Sequence, residues 1–395
     1  MSLRVVVLGG AGHIGSRIVK ELHDLDPTIE IAIADKNLAK ADEVAKSVGG
    51  NIKTVYVDAT VEESLADVIK RADCVVNAIG PFYRFGVPIL KTAIRVGVNF
   101  VDINDDYDAT FEALKLHDEA TNKGVTAVIG MGATPGITNI LARHGAGKLD
   151  EVFEIGTYWI WSALDPTMGP AIIDHYFHAI TGSVKTYRNG EWIEVKALSE
   201  PELYEFPKPI GAWEVAHVGH PEPITIPRYI KARNVYNKGG VWPAELNEIA
   251  KAFSALGITS LKEIDIKGQR YRARDIAISI VLALPEIISP ELRDKALSLF
   301  EKLGEYTLTG VGLGVMVKGV KSGDEYTIRY GLACKDAAQA TALPAALTAL
   351  ELAASKDFKK GVYPPEAGVV SIEKIINGVK KICKIEYTEI RTSAL

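Results

Sequence analysis

The sequence predicts an α/β protein, a Rossmann doubly wound parallel sheet followed by a second α+β domain with a mixed or antiparallel sheet. A short apolar strand, Val5-Val6-Val7-Leu8, runs straight into a Gly10-x-Gly12-x-x-Gly15 turn. Strand and helix patterns then alternate as far as Gly130, as they do in a parallel sheet. From Leu149 the texture becomes aromatic and strand-like, and all five tryptophans lie between Trp159 and Trp242.

The first helix is expected over Ile14 to Leu25, ending before Pro27. The second strand, Ile29 to Ala34, ends in Asp35. Asn37 is placed to N-cap a second helix that stops at Gly49-Gly50. Further strands are expected at Lys53 to Val57, Cys74 to Asn77, Asn99 to Asp102 and Val125 to Ile129. Six strands complete a doubly wound sheet, whose ligands gather at the carboxyl ends of the strands. Asp35, Asp58, Asn77 and Asp102 all fall at those ends. Further on, Tyr306 to Val317 and Tyr326 to Tyr330 read as long antiparallel strands, and Asp336 to Ala354 as an alanine-rich helix. The expected division is residues 1–132 with 336–395 as the dinucleotide-binding domain, and 133–335 as the substrate and dimerisation domain.

The turn has a physical logic. Gly10 permits the tight turn, Gly12 lets the backbone approach a pyrophosphate, and Gly15 lets the helix pack close to the strand. With His13 and Ile14, these glycines open a helix whose free N–H groups and dipole favour phosphate. Asp35, twenty residues past Gly15, can accept hydrogen bonds from a ribose 2′-hydroxyl and repels a 2′-phosphate. NAD is therefore the expected cofactor, with NADP admitted by the adjacent cation Lys36.

Composition narrows the class. With 45 basic and 50 acidic residues, the chain offers no polycationic surface for nucleic acid or an anionic membrane. Its three cysteines, Cys74, Cys334 and Cys383, are far apart, so no disulfide framework is expected and a reducing cytoplasm suits the chain. The first strand starts at Arg4, so no signal peptide is expected. The longest apolar run, Ile276 to Leu284, is too short for a bilayer and reads as a core helix.

Four phrases together resemble the saccharopine dehydrogenase family. They are the opening turn, Val75 to Phe82, Gly132-Ala133-Thr134-Pro135-Gly136-Ile137-Thr138-Asn139-Ile140-Leu141, and Gly361-Val362-Tyr363-Pro364-Pro365-Glu366. Within the family, Gly145 to Val152 and Leu198-Ser199-Glu200 resemble the L-lysine 6-dehydrogenase branch. The resemblance implies hydride transfer between NAD(P) and a carbon bearing an amine of an amino-acid substrate, in a homodimer or higher homo-oligomer. In that branch lysine yields its semialdehyde and ammonia; in the saccharopine branch the amine is secondary. It also implies that Asp58 and Ala59 meet the adenine, and that Asn77, Ala78, Gly80 and Pro81 lie by the nicotinamide ribose. The alternative for Asp58 is a helix N-cap, and for Asn77 a turn former. Saccharopine reductases carry an acid where this chain has Thr134, which keeps a non-catalytic dinucleotide-binding redox sensor as an alternative.

Thr134, Pro135, Gly136 and Asn139 are candidate substrate-binding residues, with Thr134 capping a helix that starts at Pro135 and faces a carboxylate. Arg228 and Lys231 are candidates for a substrate α-carboxylate. Amine oxidation needs a proton acceptor, for which Asp102 and His175 are the candidates. His175 and His178 share a helix face, and His217 and His220 form a second pair, but neither has the ligand set of a metal site, and no metal is expected. Tyr204-x-x-x-Lys208 matches a short-chain reductase motif, but Pro207 excludes the helix that motif needs.

Overall fold

The computed structural model describes residues 3–392. It divides into two compact units, 1–141 with 338–382 and 142–337 with 383–395. The last strand, Cys383–Thr392, thus belongs with the second unit and not with the dinucleotide-binding domain as expected, because it pairs along its whole length with Asp324–Cys334. Residues 133–141 fall in the first unit.

The first unit holds an all-parallel sheet of seven strands. Six of them are β1 (Arg4–Leu8), β2 (Glu30–Asp35), β3 (Ile52–Tyr56), β4 (Cys74–Asn77), β5 (Asn99–Asp102) and β6 (Thr126–Val128). A seventh, Gly361–Tyr363, was not expected; it adds beside β6, giving the order Gly361–Tyr363, β6, β5, β4, β1, β2, β3. The buried runs of β1 and β4 are those of strands covered on both faces. The order reverses beside β1, which lies between β4 and β2, and that is the switch point where such sheets bind ligands. Register aligns the carboxyl ends: Leu8 pairs with Asn77 and Ala34, and Asn77 pairs with Asp102. Buried Asn99 braces the far side, donating to Leu352 O at 3.0 Å and accepting from Thr126 N at 3.0 Å.

The second unit is built on a nine-stranded mixed sheet. Its central strand, Glu151–Ser162, runs parallel to Asn234–Trp242 and antiparallel to Val311–Lys321. Alternation sends Tyr158 and Ile160 to one face, where they pack with Tyr204, Phe206, Trp213 and Trp242. Tyr158 stacks on Tyr204 with ring centroids 3.9 Å apart. Tyr204 lies on the strand Glu202–Phe206, in accord with the exclusion of a short-chain reductase motif. Tyr306–Thr309 is a helical turn, so the strand expected from Tyr306 starts at Val311. The run Ile276 to Leu284 lies in the helix Ala273–Ile287, but it is no core helix: Ile280 and Leu282 are exposed. No helix among the described residues is long and apolar enough to cross a membrane.

The cysteine reading needs correction. Cys334 and Cys383 form a disulfide, with Cα atoms 4.3 Å apart. They are registered partners on neighbouring strands, a pairing that a separation of 49 residues hides in the sequence. Cys74 is a buried free thiol, and burial pushes its pKa up. Thiol titration should therefore find no fast-reacting group in the native protein, one after denaturation without reductant, and three after denaturation with reductant. Three thiols without reductant would contradict the bridge.

Candidate functional site

The glycine turn closes on itself. Gly9 N donates to Ala34 O at 2.8 Å, and Gly12 N donates to Gly9 O at 2.9 Å. The left-handed residue is Gly9, at φ +74, which corrects the role given to Gly10. Gly10 is needed for space instead, since a Cβ there would lie 2.9 Å from Ile33 Cγ2. At Gly15 a Cβ would lie 2.0 Å from Gly9 O, so the helix α1 (His13–Leu25) can approach the turn only without one. At Gly12 a Cβ would meet only Gly9 O, at 3.1 Å, and otherwise open space. Gly12 is also the N-cap of α1, and no side chain caps that end. Open space over a bare helix start fits a pyrophosphate.

Asp35 is a brace at the end of β2. Its Oδ2 accepts from Ala11 N at 3.1 Å and its Oδ1 from Asn37 N at 2.9 Å, tying the end of β2 to the turn. Asn37 caps the following helix as expected, accepting from Lys40 N at 3.1 Å. Lys36 Nζ pairs with Asp58 Oδ2 at 3.1 Å. Asp58 Oδ1 accepts from the Thr60 amide and hydroxyl, and these bonds with Lys36 hold its pKa down at about 2. The helix after Asp58 and Ala59 is capped at Val61, so Asp58 forms a turn and is not the N-cap. Two carboxylates and one cation therefore stand together at the end of β2.

Beside β1, Asn77 ends β4 fully buried. Its Oδ1 accepts from Ile79 N at 3.0 Å, while its Nδ2 is buried with no hydrogen-bond partner among the described residues. Ala78 N donates to Leu8 O, and a Cβ at Gly9 would lie 2.9 Å from Ile79 Cγ1, so this segment packs on the glycine turn. Gly80 and Pro81 follow, and Pro81 is the N-cap of the helix Phe82–Val96. An orphaned donor beside the phosphate cradle is what a ligand held at the switch point would satisfy.

Asp102, at the end of β5, holds loops together. Its Oδ1 accepts from Asn104 N at 3.0 Å and Gly130 N at 2.7 Å. Burial pushes its pKa up to about 7, only partly opposed by those amides. The loop after β6 differs from expectation. Gly132 N donates to Pro135 O, Gly136 adopts φ +126, and the helix starts at Ile137, so Thr134 is not its cap and Pro135 is not its first residue. Asn139 braces the loop, accepting from Gly136 N at 3.0 Å and donating to buried Glu366 at 2.9 Å.

In the second unit, His175 lies on the helix Pro170–Ala179, with its ring 5.8 Å from that of His220. Gly219 N donates to Ala179 O at 2.8 Å and docks the His220 loop on that helix. His220 Nδ1 lies 2.8 Å from Glu222 Oε2, and both side chains are buried. A carboxylate accepting from Nδ1–H leaves Nε2 as the basic nitrogen. Trp159 packs 5.7 Å from the His220 ring, and its Nε1 donates to Asn237 Oδ1 at 2.9 Å. In the sequence His220 stands out only as half of a histidine pair; the signal of its carboxylate partner is an acid two residues on, at a helix start. Its supposed partner His217 pairs elsewhere, with Glu200 at 3.3 Å. Arg228 does not join this cluster: it is exposed and lies over the Trp192 ring at 5.4 Å.

A parallel sheet with a reversal beside β1, an open glycine turn and a carboxylate ending β2 define a dinucleotide-binding domain. Residues 5–128 match the saccharopine dehydrogenase NADP binding domain. The chain is 23% identical to carboxyaminopropylagmatine dehydrogenase of Synechocystis sp. over 91% of its length and 92% of that protein. It is also 23% identical to carboxynorspermidine synthase of Vibrio cholerae, over 60% of its length and 61% of that protein. Its fold is similar to that of apo saccharopine dehydrogenase (L-Glu forming) from Saccharomyces cerevisiae. That TM-score is 0.65 at 17% identity, covering 98% of this chain and 100% of that one.

The state of Asp102 sets a pH dependence. An unfolded aspartate titrates at its ordinary value of 3.8, whereas the buried carboxyl titrates at about 7. As pH rises between these values the unfolded chain loses a proton that the folded chain keeps, so this group makes stability fall across that window. Asp102→Asn keeps an acceptor for both amides and cannot ionise. The variant should gain stability relative to the parent as pH rises from about 4 to about 7, read by denaturant unfolding at several pH values. A difference independent of pH would show that Asp102 is not protonated in the folded state.

Proposed function

We propose that the protein is an NAD(P)-dependent dehydrogenase that oxidises a carbon bearing an amine in an amino-acid-derived substrate. The observation that carries this reading is the open cradle at Gly12, with the orphaned Asn77 amide beside it, in a domain of the saccharopine dehydrogenase type. Bound there, the dinucleotide supplies the hydride acceptor. Asp35, with Asp58 neutralising Lys36, supports NAD over NADP, because a 2′-phosphate would meet net negative charge.

The chain's own residues have to take a proton from the substrate ammonium before the amine-bearing carbon is oxidised. The buried His220–Glu222 pair suits this role better than Asp102, whose carboxylate oxygen is engaged by two amides. His175, ring to ring with His220, is the second member of this assignment. Two readings of the substrate stand. A secondary amine is supported by the relatives, whose names describe carboxyalkylated amines. The primary ε-amine of lysine is supported by Thr134, where saccharopine reductases carry an acid.

The test is reduction of NAD and NADP at alkaline pH with lysine, saccharopine and N-carboxyalkylated diamines. One of these amines should reduce the cofactor, and His220→Asn should then lower kcat/KM by about 10²-fold, the size of a general base's contribution, with cofactor affinity unchanged. No turnover on any amine despite tight cofactor binding would overturn this reading and favour a redox sensor.

A further inference from the structure

The mixed sheet of the second unit ends on the strand Cys383–Thr392. On one side this strand pairs with Asp324–Cys334 along its whole length, with no shift of register. On its other side no strand among the described residues pairs with it. The disulfide partners show which backbone groups face outward. Cα atoms 4.3 Å apart mark Cys334 and Cys383 as a non-hydrogen-bonded pair of the antiparallel ladder. The N–H and C=O groups of Cys383, Ile385, Tyr387, Glu389 and Arg391 therefore point away from Asp324–Cys334. They make no backbone hydrogen bond among the described residues.

An open edge is a template for another strand, and proteins blunt such edges with short strands, prolines, bulges or unpaired charges. At the far end of the sheet the strand Glu202–Phe206 has five residues and lies between Pro201 and Pro207. Cys383–Thr392 has ten residues, no proline and no bulge. Its charges do not guard it either. Lys384 pairs with Glu386 at 2.8 Å, Glu389 with Lys321 at 2.6 Å and Arg391 with Asp324 at 2.7 Å. Tyr387 and Ile390, on opposite faces of the strand, are exposed.

We propose that this edge pairs with the same edge of a second copy of the chain, making one continuous sheet across a twofold axis. Twofold symmetry makes the pairing antiparallel, and outward groups can bond only to outward groups. Only the register centred on Tyr387 pairs all five outward residues among themselves. In it Tyr387 faces its own copy, Ile385 faces Glu389 and Cys383 faces Arg391. Between them Lys384 faces Ile390 and Glu386 faces Thr388, so no like charges lie directly opposite. Moving the centre to Glu386 or Glu389 sets that glutamate against its own copy, which is unfavourable. The strand is thus complementary to itself in its longest register. The pairing does not depend on the reaction proposed above.

Sedimentation of the full chain should give a dimer at micromolar concentration. Glu389→Pro removes an outward N–H that the ladder to Asp324–Cys334 does not use. Tyr387→Lys sets two cations face to face across the axis. Both variants should sediment as monomers and keep the circular dichroism of the parent. Amide exchange on the parent needs no variant. Dilution to the monomer should release the amides of Ile385, Tyr387, Glu389 and Arg391, and leave those of Glu386, Thr388 and Ile390 protected by the neighbouring strand. A parent that sediments as a monomer would overturn the proposal and leave the edge to a strand of another protein. Dimers in both variants, or outward amides whose exchange ignores dilution, would overturn it too.

Discussion

Much of the first unit depends on one close approach, that of the first turn of α1 to the carbonyl of Gly9. A single Cβ at Gly15 would sit 2.0 Å from that oxygen, so the absence of a side chain lets the helix start where it does. The rest follows from that position. The turn closes through Gly12 N and Gly9 O, Asp35 reaches across to Ala11 N, and Ala78 bonds to Leu8 as the Asn77 segment packs on Gly9. Parallel register then sets Leu8, Asn77 and Asp102 side by side. The cradle results from backbone packing, and its ligand chemistry comes from the few side chains that packing delivers.

Those side chains divide their labour by charge and burial. At the exposed end of β2, Lys36 is bound to Asp58, which leaves Asp35 as the unbalanced charge. At the buried end of β5, Asp102 is held near neutrality by burial and serves the loops. In the second unit His220 and Glu222 are both buried and bonded to each other, as buried ionisable groups must be.

Local features were legible in the sequence. The glycine spacing, Asp35, the Asn37 cap and the first six strands all depend on neighbours a few residues apart. Features that depend on distant partners were not. Cys334 and Cys383 look unrelated until two strands register, and Gly361–Tyr363 is too short to announce itself as a seventh strand. The bracing role of Asn139 was not legible, because its partner Glu366 is 227 residues away. Pro135 looked like a helix start, but the loop folds back on Gly132 first. His220 was paired by sequence with His217, whereas the fold gives each histidine its own carboxylate.

The account stands or falls on the open space above Gly12. Gly12→Val adds a side chain whose Cβ meets only the Gly9 carbonyl, at 3.1 Å, so the fold should survive while the pyrophosphate seat is filled. The direct measurement is fluorescence titration with NADH and NADPH on the parent and this variant, alongside circular dichroism. The account predicts that the parent binds NADH more tightly than NADPH, and that the variant keeps its spectrum and binds neither. Unchanged NADH affinity in a folded Gly12→Val protein would contradict it.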